Sequence, residues 1–420
     1  MAPLPYRLLV RLAALPAAGY TVVRAGRDGG GRYLRQRLGY GLPSGPFPVW
    51  LHCASVVEVQ AAAPLVRALG ERVGAPVLVT TSTPTGAAVL ARECPAAVHA
   101  YLPLDLPGAV RRFLARTRPA CGLVVETELW PNLFAACRAR GVPLAIVNGR
   151  LSPRTLEAPA WLRRAYARAL AAVGLCLARS AEDAERFRRL GMDPHRVRPA
   201  GNLKYARLPD APEGAAPVVG RPYVLAASTR EGEELMVARA WAGVDAGATL
   251  LVIAPRHPER GRGIETELRG LGLDVAVRSR GEAVTAATDV YLADTLGELG
   301  RFWGGAAAVF MGGSLVPKGG HNVLEPAAAG RAVVTGPHTE NFAEEVAALA
   351  EAGGLWQVDG EAELGEAFER LLGDAGLRAR MGEAAQGVVT ARRGVLDDYL
   401  AALAGWCPEV LDPGRPPQSS

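Results

Sequence analysis

The sequence predicts an α/β protein with two doubly wound parallel sheets, one in each half of the chain. Short apolar runs alternate with amphipathic helical runs over most of the 420 residues. Continuous apolar strands separated by helices are typical of parallel sheets that are buried on both faces. Residues 207–222 are rich in Pro, Gly and Ala without periodicity, which indicates a linker between two domains.

The first half contains five predicted strands and two clear helices. The strands cover residues 48–53, 77–82, 121–126, 144–148 and 173–178, and the helices cover 58–72 and 107–118. They form a predicted domain over residues 41–206. Residues 1–40 precede it as a predicted membrane-associating segment.

The second half repeats this alternation over a predicted domain of residues 223–407. Its strands cover 223–228, 249–254, 289–293, 307–311 and 331–335, and its helices cover 231–245, 341–352, 364–373 and 389–404. Residues 408–420 form a Pro/Ser-rich tail, for which we predict fraying.

Composition excludes several classes of protein. With 49% hydrophobic residues the chain is not a disordered one, and 6% aromatic residues argue against a stacking surface for nucleic acid. The six cysteines form no CxxC pair and no cluster with histidine, so we expect buried thiols in a reducing compartment. We predict no metal, no bound cofactor and no nucleic-acid partner.

Charge is distributed unevenly along the chain. Residues 1–207 contain 29 Lys/Arg and 12 Asp/Glu, a net charge of +17, whereas residues 208–420 carry a net −12. Such asymmetry indicates an anionic partner for the first half. A GC-rich gene that favours arginine codons is an alternative explanation for the number of arginines, but it does not explain the asymmetry. Residues 4–23 are amphipathic and are followed by several arginines, which suits either a helix on an anionic membrane surface or a docked first helix.

Acidic residues follow two strands of the first half. Glu58 opens a predicted helix three residues after Ser55, which fits a general base at the strand ends or a plain capping box. Glu126 and Glu128 flank Thr127 beside a Trp, but no His or third acid stands nearby, which disfavours a divalent metal. Lys204 ends the predicted domain and suits a phosphate or carboxylate partner as well as a solvated charge.

Three polar loops in the second half follow successive strands. They are residues 228–234, 255–260 and the Gly-rich stretch 312–326, which lacks the pattern of a P-loop. Loops that open helices offer free N–H groups to anions, and Arg256 can bind a phosphate in bidentate fashion. We therefore predict a nucleotide site whose phosphate meets Arg256 and the N–H groups of these loops, with Ser228, Thr229, Gly312, Gly313 and Ser314 among its residues.

Taken together, the motifs resemble the 3-deoxy-D-manno-octulosonic acid (Kdo) transferase family of lipopolysaccharide synthesis. The resemblance runs from about residue 45 to 350 and rests on SVVE (55–58), TTSTPTG (80–86), YLPLDLPGAVRRFL (101–114), ETELWPN (126–132), GNLK (201–204), ASTREGEE (227–234), PRHPER (255–260), DTLGEL (294–299), GGSLVPKGGHNVLEP (312–326) and GPHTENF (336–342). It implies a GT-B fold, with two Rossmann-like domains facing each other across a cleft. It also implies inverting, metal-independent transfer of Kdo from CMP-Kdo to a lipid A precursor, lipid IVA, at the cytoplasmic face of the inner membrane, by a peripheral or monotopic protein.

The resemblance also assigns roles to individual residues. Glu58 matches the general base, and Glu128 and Lys204 match groups that stabilise the transition state. The positions that match CMP-binding residues are Pro255, Arg256, Leu296, Gly297, Glu298, Asn322, Val323, Leu324 and Glu325.

Two residues depart from the family pattern. Val57 stands where the family usually has Gly, a residue that permits a tight turn or a close approach of substrate, and Val323 replaces a common Pro. Two alternatives therefore stay open: another GT-B enzyme acting on a nucleotide sugar, or a non-catalytic member that binds lipid surfaces.

Overall fold

The computed structural model describes residues 30–207 and 218–412. The chain divides into two compact units, residues 1–207 with 393–420, and residues 208–392. Each unit is built around one seven-stranded sheet in which every pair of neighbouring strands is parallel. The predicted α/β class with two doubly wound sheets is confirmed.

The first unit contains strands β1 to β7 in the order β3-β2-β1-β4-β5-β6-β7. Their bounds are Phe47–Cys53 (β1), Leu78–Thr81 (β2), Val98–Tyr101 (β3), Pro119–Val125 (β4), Leu144–Gly149 (β5), Val173–Ala178 (β6) and Val197–Pro199 (β7). Its helices are Gly30–Arg37, Val56–Val73, Pro84–Glu93, Pro107–Thr117, Pro131–Ala139, Pro153–Leu156, Ala160–Leu170, Ala181–Arg189, Val395–Trp406 and Pro408–Leu411.

The second unit contains strands β8 to β14 in the order β10-β11-β9-β8-β12-β13-β14. Their bounds are Tyr223–Thr229 (β8), Leu250–Pro255 (β9), Val275–Val277 (β10), Val290–Leu292 (β11), Ala306–Met311 (β12), Ala332–Thr335 (β13) and Leu355–Gln357 (β14). Its α-helices are Glu233–Ala242, Gly261–Gly270, Leu324–Ala328, Ala343–Glu351, Glu361–Gly373 and Ala375–Thr390.

The strands are buried on both faces, which explains their continuous apolar sequences. In β1, Val49 and Leu51 pack into one core cluster and Trp50 packs into the cluster on the opposite face. All ten predicted strands are present, each within two residues of its predicted bounds. All six cysteines are buried and free, as predicted.

The C-terminal part of the chain differs from the prediction. A single helix over 389–404 in the second domain is wrong, because the structure has two helices, Ala375–Thr390 in the second unit and Val395–Trp406 in the first. The second of these buries Tyr399 and Leu403 in the core of the first unit. The following helix Pro408–Leu411 buries Leu411, so the predicted tail is ordered over these residues.

The structure describes only residues 30–40 of the predicted membrane-associating segment 1–40. There, the helix Gly30–Arg37 packs on the first unit and buries Tyr33. Arg32 and Arg37 donate to the carbonyl groups of His99 and Leu102. Residues 4–23 lie outside the described part, and within 30–207 and 218–412 no helix combines the length and hydropathy needed to span a bilayer.

Candidate active site

Glu58 lies in the first turn of the helix Val56–Val73, directly after β1. Ser55 caps this helix, and the Glu58 carboxylate accepts hydrogen bonds from the Ala54 N–H (2.8 Å) and the Ser55 hydroxyl (2.8 Å). The capping interpretation is therefore correct as local structure, but Glu58 is also buried, with only 8% of the residue exposed. Burial, reinforced by the charges of Glu126 and Glu128, raises its pKa from 4.5 to about 7. A carboxyl group with this pKa is suited to accept a proton near neutral pH.

Val57 does not disturb the backbone at this turn. It lies inside the helix and is not among the residues with positive φ, so the usual Gly is not needed here for a left-handed turn. Its side chain is 53% exposed.

Glu126 and Glu128 follow β4, and their pKa values are shifted in opposite directions. Glu126 adopts a left-handed conformation, with φ of 58°. Burial raises its pKa, against the opposing charges of Arg179, Arg150 and Lys204. Burial also acts on Glu128, but the neighbouring His52 ring and the Trp130 indole N–H, which donates to its Oε2 at 2.9 Å, outweigh that effect and lower the pKa of Glu128.

Lys204 lies near these carboxylates, since its positive charge acts to lower the pKa of Glu126. It lies in the short 3-10 helix Leu203–Arg207, whose first N–H donates to the Asn148 side chain at 3.0 Å. The backbone N–H of Asn148 donates to the hydroxyl of Tyr399 at 3.2 Å, and that hydroxyl donates to the Gly201 carbonyl at 2.9 Å. The helix Val395–Trp406 thus holds the segment that carries Lys204.

The structure therefore brings together the three catalytic residues predicted in the first unit, Glu58, Glu128 and Lys204. It adds Glu126 and His52, which the sequence analysis did not assign to catalysis. Within the described ranges, no group of three or more His, Cys, Asp or Glu side chains has the arrangement of a metal site.

A cavity of about 70 Å³ lies at the carboxyl ends of β8 and β9 in the second unit. Among its lining residues are six of the predicted CMP-binding residues: Ser228, Pro255, Arg256, Leu296, Gly297 and Glu298. Leu296 is 81% exposed. The Glu298 carboxylate binds the Arg278 guanidinium at 2.7 and 2.8 Å, and this arginine, together with Thr295, lowers the pKa of Glu298 to about 2.

Arg230 forms a cationic group beside this cavity that the sequence analysis did not single out. Its guanidinium donates to Nε2 of His321 at 3.2 Å and lies 2.7 Å from Nε2 of His257. Burial, together with the charges of Arg230 and Arg256, lowers the pKa of His321 to about 4. His321 is therefore neutral at pH 7 and accepts the hydrogen bond from Arg230.

The Gly-rich loop after β12 does not offer the free N–H groups that we expected. The fully buried carboxylate of Glu233 accepts from the N–H groups of Gly313 (2.5 Å), Ser314 (2.9 Å), Leu315 (2.9 Å) and Arg230 (2.8 Å). The expectation of free donors at Gly313 and Ser314 is wrong, because a carboxylate of the same unit has already bound them.

The neighbours of this loop are similarly engaged. The Gly312 N–H donates to the Ala227 carbonyl, and the buried Thr229 hydroxyl donates to Glu234. These contacts fix the shape of the loop next to the end of β8.

The last predicted motif lies at the start of the helix Leu324–Ala328. The Asn322 side chain donates to the Glu325 carboxylate at 3.0 Å and accepts from the Leu324 N–H at 3.1 Å. Val323 and Leu324 are buried, so only the polar pair Asn322 and Glu325 has side chains partly open to solvent.

Comparisons with known proteins identify the family. Residues 32–207 match the model of the N-terminal domain of 3-deoxy-D-manno-octulosonic acid transferases. The chain is 41% identical to the 3-deoxy-D-manno-octulosonic acid transferase of Bordetella pertussis, over 86% of this chain and 87% of that protein. It is 36% identical to the corresponding transferase of Haemophilus influenzae, over 88% of this chain and 90% of that protein.

Solved structures with a similar fold have lower identity. A putative UDP-N-acetylglucosamine 2-epimerase from Listeria monocytogenes has a TM-score of 0.57 and 17% identity, covering 86% of this chain and 96% of that one. A glycosyltransferase from Rickettsia africae has a TM-score of 0.55 and 13% identity, covering 89% and 99%. These likenesses confirm the GT-B fold class, while the cleft between its domains stays a prediction. The two bacterial relatives settle the family: the chain belongs to the 3-deoxy-D-manno-octulosonic acid (Kdo) transferases, which are glycosyltransferases.

Proposed function

We propose that this protein transfers Kdo from CMP-Kdo to the lipid A precursor lipid IVA, with inversion and without a metal. The observation that carries the proposal is the buried Glu58 carboxylate, whose pKa of about 7 suits a general base. Membership of the family supports the transferred sugar. The cavity lined by the predicted CMP-binding residues supports the donor.

In the proposed reaction, an acceptor hydroxyl loses its proton to Glu58 while its oxygen bonds to the anomeric carbon of Kdo. The bond between that carbon and the phosphate oxygen breaks, and CMP leaves with the electron pair. Attack from the side opposite the leaving group inverts the configuration. Positive charge develops on the sugar in the transition state, where the ionised Glu128 stabilises it. Lys204 then pairs with the carboxylate of Kdo.

Arginines supply the positive charge that the departing phosphate needs. Arg256 lines the cavity, and Arg230 is held beside it by His321 and His257. Guanidinium groups bind phosphate in bidentate geometry, so we propose that these two residues take the place of a divalent cation.

The acceptor carries phosphates and acyl chains, so we propose that the first unit binds the cytoplasmic face of the inner membrane. Its net charge supports this, as does the helix Ala160–Leu170, which exposes Trp161 beside Arg163 and Arg164. Exposed tryptophan and arginine suit a layer of anionic headgroups. Sedimentation with vesicles that contain phosphatidylglycerol, and no sedimentation with pure phosphatidylcholine vesicles, is the expected result.

The central test compares wild type with Glu58→Gln. Each protein is incubated with CMP-Kdo and lipid IVA, the products are identified by mass spectrometry, and CMP binding is measured by calorimetry. We expect Kdo-bearing product from wild type, a rate roughly 10²–10⁴-fold lower in the variant, and unchanged CMP affinity. Glu71→Gln, an exposed change on the same helix, is the matched control and should leave the rate intact.

Three results would contradict the proposal. Near wild-type transfer by Glu58→Gln removes Glu58 as the base. Preference for UDP over CMP points to another GT-B enzyme. Vesicle binding without transfer from any nucleotide sugar points to a non-catalytic member.

A further inference from the structure

Arg150 directly follows β5 and lies beside the loop that carries Glu126 and Glu128. The Thr127 hydroxyl of that loop donates to the Arg150 carbonyl, which joins the ends of β4 and β5. In open parallel sheets, ligands bind outside the carboxyl ends of the strands. Arg150 therefore lies at the edge of the first sheet where the proposed catalytic residues are found.

The backbone around Arg150 is held on both sides. Before it, the Gly149 carbonyl accepts from the Arg179 N–H at 3.1 Å. After it, the Leu151 N–H donates to the buried Asp183 carboxylate at 2.8 Å. Together with the threonine contact, these hydrogen bonds fix the position of the Arg150 backbone, and they use none of its side-chain atoms.

The side chain of Arg150, in contrast, is not engaged. The residue is exposed, and no group within the described ranges 30–207 and 218–412 forms a hydrogen bond or an ion pair with its guanidinium. A guanidinium has five N–H donors, and two of them match two oxygens of a phosphate. A fixed backbone that carries an unengaged guanidinium at a strand end is suited to bind an anionic group of a ligand.

Arg150 differs in this respect from the two other cations near Glu126. Burial raises the pKa of Glu126, and three positive charges act against that shift. They belong to Arg179, Arg150 and Lys204. The buried Arg179 side chain donates to the Asp183 carboxylate at 3.3 Å, and Lys204 is the proposed partner of the Kdo carboxylate. Of these three cations, Arg150 is the one left for a second anion.

We propose that Arg150 binds a phosphate group of the acceptor and thereby selects phosphorylated acceptors. The inference rests on the proposed function, in which the acceptor carries phosphates and its hydroxyl reacts at Glu58. Glu126 connects the two positions, because its charge acts on Glu58 and the charge of Arg150 acts on it. One acceptor can therefore present a hydroxyl to Glu58 and a phosphate to Arg150. The positive charge also offsets repulsion between this anionic acceptor and the carboxylates of the site.

Transfer to two acceptors tests this role: lipid IVA, and the same lipid after enzymatic removal of its phosphates. Arg150→Ala should lower kcat/KM for lipid IVA roughly 10- to 100-fold, mainly through KM, which is the factor expected for a charged hydrogen bond. With the dephosphorylated lipid, wild type and Arg150→Ala should be equal. Arg150→Lys keeps the charge without the planar fork and should lie between the two with lipid IVA.

Arg140→Ala is the matched control. Arg140 is an exposed arginine of the same unit at the C-terminal end of the helix Pro131–Ala139. This helix connects two parallel strands, β4 and β5, so Arg140 lies toward the opposite edge of the sheet. Its replacement should leave both rates unchanged. An equal loss with both acceptors in Arg150→Ala overturns the inference, and so does a loss of CMP affinity in calorimetry, because the guanidinium would then bind another group.

Binding of the two lipids without a nucleotide sugar separates the inference from the proposed function. The whole protein should bind lipid IVA roughly 10- to 100-fold more tightly than Arg150→Ala does, and both should bind the dephosphorylated lipid alike. If wild type shows this difference but transfers no Kdo, only the proposed function fails. If wild type and Arg150→Ala bind lipid IVA equally, the inference is overturned whether or not Kdo is transferred.

Discussion

Replacing Glu58 by Gln should stabilise the protein at high pH, although it removes the proposed base. Glu58 is buried, and burial together with two neighbouring carboxylates raises the pKa of its carboxyl group to about 7. Gln has the same shape and can still accept from the Ala54 N–H, but it never ionises. The variant therefore separates the cost of burying the charge from the packing of the side chain.

The size of the effect follows from proton linkage. The folded protein binds this proton more tightly than the unfolded chain, so the stability from this group is present below pH 4.5 and is lost as pH rises toward 7. Between pH 5 and pH 8 the wild type loses roughly 2.5 kcal/mol through this one group, and Glu58→Gln loses none of it. For a unit of this size, that difference corresponds to about 5–10 °C in Tm.

Thermal unfolding at pH 5 and pH 8 provides the assay. The Tm of Glu58→Gln minus that of wild type should be about 5–10 °C larger at pH 8 than at pH 5. Glu71→Gln, on the exposed face of the same helix, should show no such change. An equal difference at both pH values would mean that Glu58 has an ordinary pKa in the folded protein, and the argument for a base near neutrality would fail.

Three further substitutions test other parts of the site. Arg230→Lys should weaken CMP binding about tenfold in calorimetry, because lysine lacks the planar fork whose separate nitrogens contact His321 and His257. The exposed Arg262→Lys should leave CMP binding unchanged. Glu233→Gln should destabilise the second unit by about 3 kcal/mol in denaturant unfolding, since its amide would face N–H donors; an unchanged midpoint would contradict this role. Tyr399→Phe should lower the free energy of unfolding of the first unit by about 1–2 kcal/mol and slow transfer with unchanged CMP affinity. An unchanged transfer rate would show that Tyr399 does not support the position of Lys204.

The central strands could be predicted from sequence because they are buried on both faces. Their apolar runs are continuous and are interrupted by helices, so β1, β4, β5, β8 and β12 are unambiguous. The strands that were missed, β3, β7, β10 and β14, have three or four residues each and lie toward the edges of the sheets. A run of three residues carries no periodicity that distinguishes it from a loop.

The helix Val395–Trp406 shows a different limit of sequence reasoning. Its apolar face predicts that it packs on a sheet, but an amphipathic pattern does not specify which of two similar sheets it covers. Tyr399 fixes this helix on the first unit: its hydroxyl donates to the Gly201 carbonyl and accepts from the Asn148 N–H. These partners lie about 200 and 250 residues earlier in the chain. Contacts of that sequence separation leave no local signal.

The site residues divide in the same way. Those in polar loops after strands, such as Arg256 and Glu128, could be found by position alone. His52 could also have been predicted as a site residue. It is a polar residue inside the apolar run of residues 48–53, and a buried polar group needs hydrogen-bond partners. The hydrogen bonds from the Gly313 and Ser314 N–H groups to Glu233 could not be predicted, because no local sequence pattern links residues about 80 positions apart.

Both units place a glutamate in the first turn of the helix that follows a central strand, Glu58 after β1 and Glu233 after β8. The donors around each carboxylate separate their roles. Glu233 accepts from four backbone N–H groups on two loops, so both oxygens are committed to holding the fold. Glu58 accepts from one N–H and one hydroxyl, and these do not offset its burial, so it retains affinity for a proton at neutral pH. Equivalent positions in two similar sheets thus yield a structural anchor in one unit and a candidate base in the other, because the number of donors differs.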